Sequence, residues 1–438
     1  DGTGDIRLTD DMANNTYPST WRTILSVAED PDISPVTPVF LRSNGTRGSD
    51  DGQFRNPRGV AVTSDGSVYY VGDTDNHRIQ KFDEYGRFLG KWGSFGSGDS
   101  KFSQLQGVAV ASDGSAVYVA DTNNNRIQKF DADGGFLSEW GKDGAFDGRL
   151  SAPEGLTVTS DGSVYVADTN NHRIQKFDKD GGFLGRWGTQ GFGDGDLYKP
   201  NGVAVDSDGN VYVIEKDLHR VKKFDAGGVF LTKWGGPQGD GDGEFQYPYG
   251  IAVASDGSVY VADRNNRIQK FDKDGGFLSK WGKYGRAEGE LIVPYDVAVD
   301  SDGNVYVADT SNHRIQVFTV ELAVGAVGET LAFDTASITA KSGSEVTITF
   351  KNPSANNQRN LVIVQDGTKD AVGADGTAAG PANDWIAPGD ARVVANTPLL
   401  ASGASGEVIF TAPAPGTYQF VCTFPGHNFI MFGDFIVN

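Results

Sequence analysis

A chain of 438 residues with a single cysteine, Cys422, has no intrachain disulfide available to it, and its cysteine usage by itself leaves the compartment open. Histidine is also scarce, at five residues, and methionine occurs twice. No apolar run approaches the ~18 residues that span a bilayer, and no charged-then-apolar leader stands at Asp1, so the chain reads as soluble, with no membrane span. Positive charge is in deficit: 38 Lys and Arg stand against 58 Asp and Glu, a net −20 distributed as −5 over residues 1–38, −9 over 39–318 and −6 over 319–438. A surface acidic throughout repels phosphates, which argues against nucleic acid or an anionic membrane as partner and favours solubility. A long segment of helical period is missing as well. With 59 glycines and many β-branched residues, the composition predicts an all-β protein, and the length predicts two or three folding units.

What is present is a repeat. The stretch Ser160 to Gly188 recurs, with its acidic position at Asp73, Asp121, Asp168, Glu215, Asp263 and Asp309, spaced 48, 47, 47, 48 and 46 residues apart. Each copy holds four short strand-like runs, shown by Leu156 to Val158, Val164 to Ala167, Arg173 to Phe177 and Phe183 to Trp187. Asp161-Gly162 and Gly181-Gly182 supply the positive φ that tight hairpins need. One four-stranded blade per copy predicts a six-bladed β-propeller. The sixth copy lacks its fourth strand, whereas Phe40 to Gly45 aligns with Phe183 to Gly188. Residues 39–45 are therefore expected to close the last blade and remove an open edge.

The motifs Pro-x-Gly-Val/Ile-Ala-Val, Val-Tyr-Val-Ala-Asp and Asn-His-Arg-Ile-Gln-Lys-Phe resemble those of the NHL family of six-bladed propellers over residues 39–318. The resemblance implies a fold and not a function, since such propellers serve as binding scaffolds, sensors and occasionally enzymes. The acidic residue and Arg78, Arg126, Arg173, Arg220, Arg267 and Arg314 recur in every copy, which indicates a structural pair rather than catalysis. His77, His172, His219 and His313 precede four of those arginines. On separate blades they do not converge on one tetrahedron, and they read as parts of the blade.

One position varies against this uniform background. Between the strand-opening proline and the glycine stand Arg58, Gln106, Glu154, Asn201, Tyr249 and Tyr295, expected near the mouth of the central channel. A ligand-facing ring shows such variation, and so does an unconstrained loop. Propeller lactonases hold calcium in the channel through Glu, Asn and Asp oxygens, and Glu154, Asn201 and Asp296 can be read that way, although no nucleophile or base accompanies them and Asp296 replaces a repeat glycine. The segments Gly239 to Glu244 and Gly193 to Asp196 resemble calcium-loop fragments but lack flanking helices and a terminal bidentate glutamate, so they read as solvated blade connections.

Residues 1–38 form an expected N-terminal arm, with Trp21, Ile24 and Leu25 packing on one of the domains. From Val320 the chain enters a second domain, residues 319–438, without a Gly/Ser or Pro linker, which predicts a fixed orientation. Alternating runs such as Glu345 to Phe350 and Glu407 to Thr411 read as strands. The stretch Gly416 to Met431, carrying Cys422, His427 and Met431, resembles a cupredoxin of the azurin and auracyanin kind, and the likeness extends over residues 320–438.

That resemblance implies a Greek-key β-sandwich, an extracytoplasmic location, copper as cofactor and a protein redox partner. It implies Cys422 as thiolate ligand, His427 as the imidazole at the solvent edge and Met431 as the axial thioether, a set that moves one electron with little rearrangement. It also implies a first histidine followed by asparagine, and here the pair is Arg359-Asn360, with Asn360 orienting the ligand loop. A guanidinium has no lone pair to donate, and its charge opposes a copper cation. Two readings stay open. Either copper binds through Cys422, His427 and Met431 in an altered centre, or the site has lost its metal and Arg359 pairs with Cys422, whose thiol pKa then falls. The protein is then an electron-transfer type cupredoxin on a propeller scaffold, a redox-inactive binding protein, or a calcium-dependent propeller hydrolase; enzymatic activity is not the expectation in the first two.

Overall fold

The computed structural model describes residues 38–319, 322–327, 331–333, 337–340, 342–343 and 345–437. The expected packing of Trp21, Ile24 and Leu25 and the direct passage through Val320 lie outside these residues.

Residues 39–319 form six four-stranded antiparallel sheets. The third blade is representative, with strands Pro153–Val158, Val164–Asp168, Arg173–Phe177 and Phe183–Trp187 from the channel outwards. The two middle strands are buried on both faces because neighbouring blades sandwich them, which is why the continuous apolar run Val164, Tyr165, Val166 and Ala167 is buried throughout. The outer strand alternates, leaving Leu184 exposed and turning Trp187 inwards. Trp140 from the second blade covers Gly181 of the third, where a Cβ atom would lie 2.6 Å from the indole and the backbone runs at φ +91°. The sixth blade is Pro294–Val299, Val305–Asp309 and Arg314–Thr319, completed by Val39–Asn44 antiparallel to Arg314–Thr319 in the register Phe40 to Phe318 and Asn44 to Ile315.

The repeated polar residues clamp each blade to the loop that precedes it. Arg173 Nε donates to Asp168 Oδ2 at 2.7 Å, while its terminal nitrogens donate to the carbonyls of Ala145, Phe146 and Arg149. Asp168 Oδ1 accepts the Ser151 N–H at 2.7 Å, and Gln175 donates to Asp168 and to Arg149 O. Asp168 is fully buried, so every one of these bonds offsets desolvation.

Three of the four propeller histidines join neighbouring blades, and His77, whose Nδ1 is buried without a hydrogen-bond partner among the described residues, does not. His172, His219 and His313 adopt left-handed backbone conformations, and their Nδ1 atoms accept the backbone N–H of Lys199, Tyr247 and Asn56 in the next blade at 3.0–3.1 Å. Asn125 and Asn266 do the same through Oδ1. An acceptor Nδ1 must be unprotonated, and burial holds all three histidines below the ordinary imidazole pKa. The unfolded chain then takes up more protons, so this contribution is complete above about pH 6.5 and is lost as the pH falls through the folded-state values. Melting temperatures recorded from pH 7.5 to 5.5 should fall in the native protein. The slope should flatten when all three histidines are replaced by Asn, which preserves the acceptor as in blades two and five; equal slopes refute the account.

The C-terminal domain is a two-sheet sandwich. One sheet joins Leu322–Gly325, Glu345–Lys351 and Ser405–Thr411; the other runs in the order Ser337–Ala340, Phe432–Val437, Gly416–Val421, Val362–Gln365 and Val393–Asn396. Ile348, Phe350, Leu361, Ile363, Phe420 and Phe435 fill the space between the sheets. An eleven-residue helix, Lys369–Ala379, packs Val372 on Val362, Val364 and Val421. Its sequence carries two glycines and almost no apolar stripe, so periodicity does not reveal it. The reason for the glycines is tertiary: a Cβ at Gly373 would meet Asn428 at 2.5 Å, and one at Gly376 would meet the Trp385 carbonyl.

Candidate metal centre and channel ring

Cys422 follows directly on the strand Gly416–Val421, and Met431 directly precedes Phe432–Val437. The loop between these paired strands closes on itself. The Cys422 N–H donates to Met431 O at 3.1 Å, and His427 O accepts the N–H groups of Ile430 and Met431 at 3.0 and 2.8 Å. This tight turn brings the Cys422 sulfur to 3.5 Å from His427 Nδ1. Cys422 and Met431 are inaccessible and His427 is 6% exposed.

Arg359 enters from the neighbouring connection, where it pairs with Leu400 through two backbone hydrogen bonds of 3.1 and 2.8 Å, and its side chain is the largest fully buried one in the described structure. The next residue ties the two halves of the site together. Asn360 Nδ2 donates to Thr423 Oγ1 at 2.7 Å and to Asp384 O at 2.8 Å, while its Oδ1 accepts the Thr423 N–H at 2.9 Å. Replacing Asn360 by Ala strands two buried groups of Thr423 and the half-buried Asp384 carbonyl, and a loss of about 2–4 kcal/mol is expected by chemical denaturation, at ~1–3 kcal/mol for each unmet buried group with partial relaxation. A change below about 0.5 kcal/mol contradicts the bracing role.

Electrostatics in the site run opposite to one expectation. Pairing with Arg359 was expected to lower the Cys422 thiol pKa, yet burial pushes it up. The N–H groups of Asn360 and Phe424 and the Arg359 charge pull downwards without overcoming that desolvation. Burial and the same guanidinium both hold His427 below the ordinary imidazole value. The charge of Arg359 is thus felt at both groups.

Comparison with known proteins bears on this site. Residues 320–438 match the family of copper binding proteins, plastocyanin/azurin family. Auracyanin-A of Chloroflexus aurantiacus is 41% identical over 121 residues, which are 27% of this chain and 75% of that protein. The chain belongs to the plastocyanin/azurin family. Azurin of Alcaligenes faecalis is 35% identical over 113 residues, covering 24% of this chain and 88% of the azurin. Outer membrane protein H.8 of Neisseria gonorrhoeae is 38% identical over 112 residues, 24% of this chain and 61% of that protein. Among solved structures, auracyanin A, a "blue" copper protein, is 41% identical, with 27% of this chain and 98% of that one covered at a TM-score of 0.27. NHL repeats match at residues 54–82, 197–224, 245–271 and 291–318, and an SMP-30/gluconolactonase/LRE-like region at 97–190. A cupredoxin is fused to an NHL-type propeller.

The cupredoxin domain offers copper three donors of suitable kind, a thiol, an imidazole and a thioether, already gathered by one loop. By kind these donors suit copper, and Arg359 sets a positive charge close enough to be felt at Cys422 and His427. Beside them Phe429 and Ile430 are 65% and 63% exposed, an apolar rim at the His427 edge that no single motif announces in the sequence.

In the propeller, Arg58, Gln106, Glu154, Asn201, Tyr249 and Tyr295 all line the central channel. They touch one another across blades. The Asn201 amide donates to Glu154, the Tyr295 hydroxyl to Gln106, and the rings of Tyr249 and Tyr295 stack 4.3 Å apart. Of the residues in the calcium reading, Asp296 accepts the Val60 and Val297 N–H groups at 3.1 and 2.9 Å, one on each oxygen, and Glu154 accepts the Asn201 amide. Among the described residues no group of three or more His, Cys, Asp or Glu is placed to hold a metal ion. The acidic loops close on themselves, with Glu244 capping the Gly241 N–H and Asp194 and Asp242 paired to Lys233 and Lys280. No helix among the described residues is long and apolar enough to cross a membrane.

Proposed function

We propose that this protein is an extracytoplasmic copper-binding cupredoxin carried on a propeller scaffold, its metal held by Cys422, His427 and Met431 with Arg359 in place of the family's first histidine ligand. The approach of Cys422 Sγ to within 3.5 Å of His427 Nδ1 in a preformed, buried loop carries the reading. Family membership supports the location and a protein redox partner. Bound copper supplies a one-electron couple. The residues bias that couple: two sulfur donors and one imidazole form a soft set that suits Cu(I), and the buried guanidinium opposes the extra charge of Cu(II). His427, framed by Phe429 and Ile430, is the edge from which a partner is reached.

Metal-free, reduced protein titrated with Cu(I) against a chromophoric chelator tests this directly. Tight Cu(I) binding that disappears in Cys422→Ser, with Cu(II) held at least about a hundredfold more weakly, is the expected outcome. Binding of neither ion refutes the copper reading and supports the second one, a redox-inactive binding protein, which the burial of Arg359 among the ligands favours. Hydrolysis of a lactone by the calcium-supplemented protein, absent on chelation, would instead favour the channel-hydrolase reading.

A further inference from the structure

The six blades act as an internal control, because each position shows what the fold requires and where the chain departs from it. Two of the departures meet at one end of the channel. Thr74, Thr122, Thr169 and Thr310 open the tight turns after the second strands of their blades, and three of them donate to the proline carbonyl of the next blade at 2.7–2.8 Å. In the fourth blade that position is Lys216, whose Nζ lies 4.0 Å from Glu154 and 5.6 Å from the centre of the Tyr249 ring. In the sixth blade the repeat glycine becomes Asp296, whose side chain fits only because Gly250 has none: a Cβ there would lie 2.4 Å from Asp296 Oδ1. Each departure costs a hydrogen bond or a desolvated carboxyl that the fold does without elsewhere.

The remaining members of the cluster form a column. Arg58 lies over one face of Tyr295, at 4.9 Å, Tyr249 stacks on Tyr295, and Lys216 lies over Tyr249. The tyrosines thus hold two cations over the mouth of a channel of about 290 Å³. Arg58 Nε is buried without a hydrogen-bond partner among the described residues. Against the two cations stands Glu154, whose pKa burial raises; Asp296 is pushed up to about 7. In a chain of net −20 the channel mouth sets two cations and one unpartnered Nε–H above apolar strands.

We propose that the channel mouth binds a small organic carboxylate, its anionic end on Arg58 and Lys216 and its polar body against Gln106, Glu154 and Asn201. A guanidinium fork with an unused Nε–H matches a carboxylate, and a neutral molecule gains little from either cation. The site is independent of the copper centre.

Isothermal titration of the full chain with acetate, lactate, succinate and benzoate, each beside its amide, reads the proposal. At least one acid is expected to bind at least tenfold more tightly than its amide. Lys216→Thr, which installs the residue four other blades use, is expected to weaken that binding about tenfold without lowering the melting temperature, and Arg58→Gln to abolish it. No binding by any of the four acids, equal binding of acid and amide, or unchanged affinity in both variants overturns the proposal. Should Arg58→Gln lower the melting temperature, Lys216→Thr alone decides.

Discussion

Cu(II) added to the Arg359→His protein is expected to produce an intense thiolate-to-copper absorption band and a copper EPR signal that the native protein lacks. Two effects add. The new imidazole completes the pair of nitrogens that Cu(II) prefers beside a thiolate, and removal of the buried guanidinium relieves charge repulsion. For unit charges ~5 Å apart at an effective dielectric constant of ~20, that repulsion is about 3 kcal/mol, or roughly a hundredfold in affinity for each unit of metal charge. Arg359→Leu separates the contributions, since it removes the charge without adding a ligand; Cu(II) should bind more tightly than in the native protein, with a weaker band than in the histidine variant. Cys422→Ser in the Arg359→His background should remove the band. A native protein already as coloured as Arg359→His would show that Arg359 does not control the metal.

Breaking one buried clamp in the propeller is expected to cost about 3–5 kcal/mol, the loss typical when one partner of a buried ion pair is removed. Arg173→Ala leaves Asp168 buried without its 2.7 Å partner and frees the carbonyls of Ala145, Phe146 and Arg149 in the loop that joins the second and third blades. Asp168→Ala should cost a comparable amount, since it also strands the Ser151 N–H and part of Gln175. The double variant should lose clearly less than the sum, because the groups share one network. Denaturant unfolding read by tryptophan fluorescence measures all three. Losses below about 1 kcal/mol, or strict additivity, contradict the clamp.

Blade four shows how far this network tolerates change. There the pair is Glu215 with Arg220, and Lys222 takes the place of the usual glutamine, donating to the carbonyls of Gly193 and Asp196. The donors still reach the preceding loop, so the function of the clamp survives a change of residue type. That is why the repeat could be read through a copy that departs from its own consensus.

Period and residue type alone were enough for the blades, for the pairing of Val39–Asn44 with the last of them, and for the identity of the cupredoxin loop, because strand alternation, turn glycines and a Cys-His-Met spacing are local properties of the chain. That Arg359 stands where the family's first histidine is expected was an inference from the motif, and the proposed altered centre rests on it. Other features depend on what distant segments bring near. The helix Lys369–Ala379 carries its two glycines because Asn428 and the Trp385 carbonyl leave no room for a Cβ, and the Cys422 thiol is raised rather than lowered because burial outweighs a neighbouring charge. The ring of Arg58, Gln106, Glu154, Asn201, Tyr249 and Tyr295 looked as much like a free loop as a site. Only closure of six blades around one axis brings residues up to 237 positions apart into contact, so that variation along the chain becomes a single cluster in space.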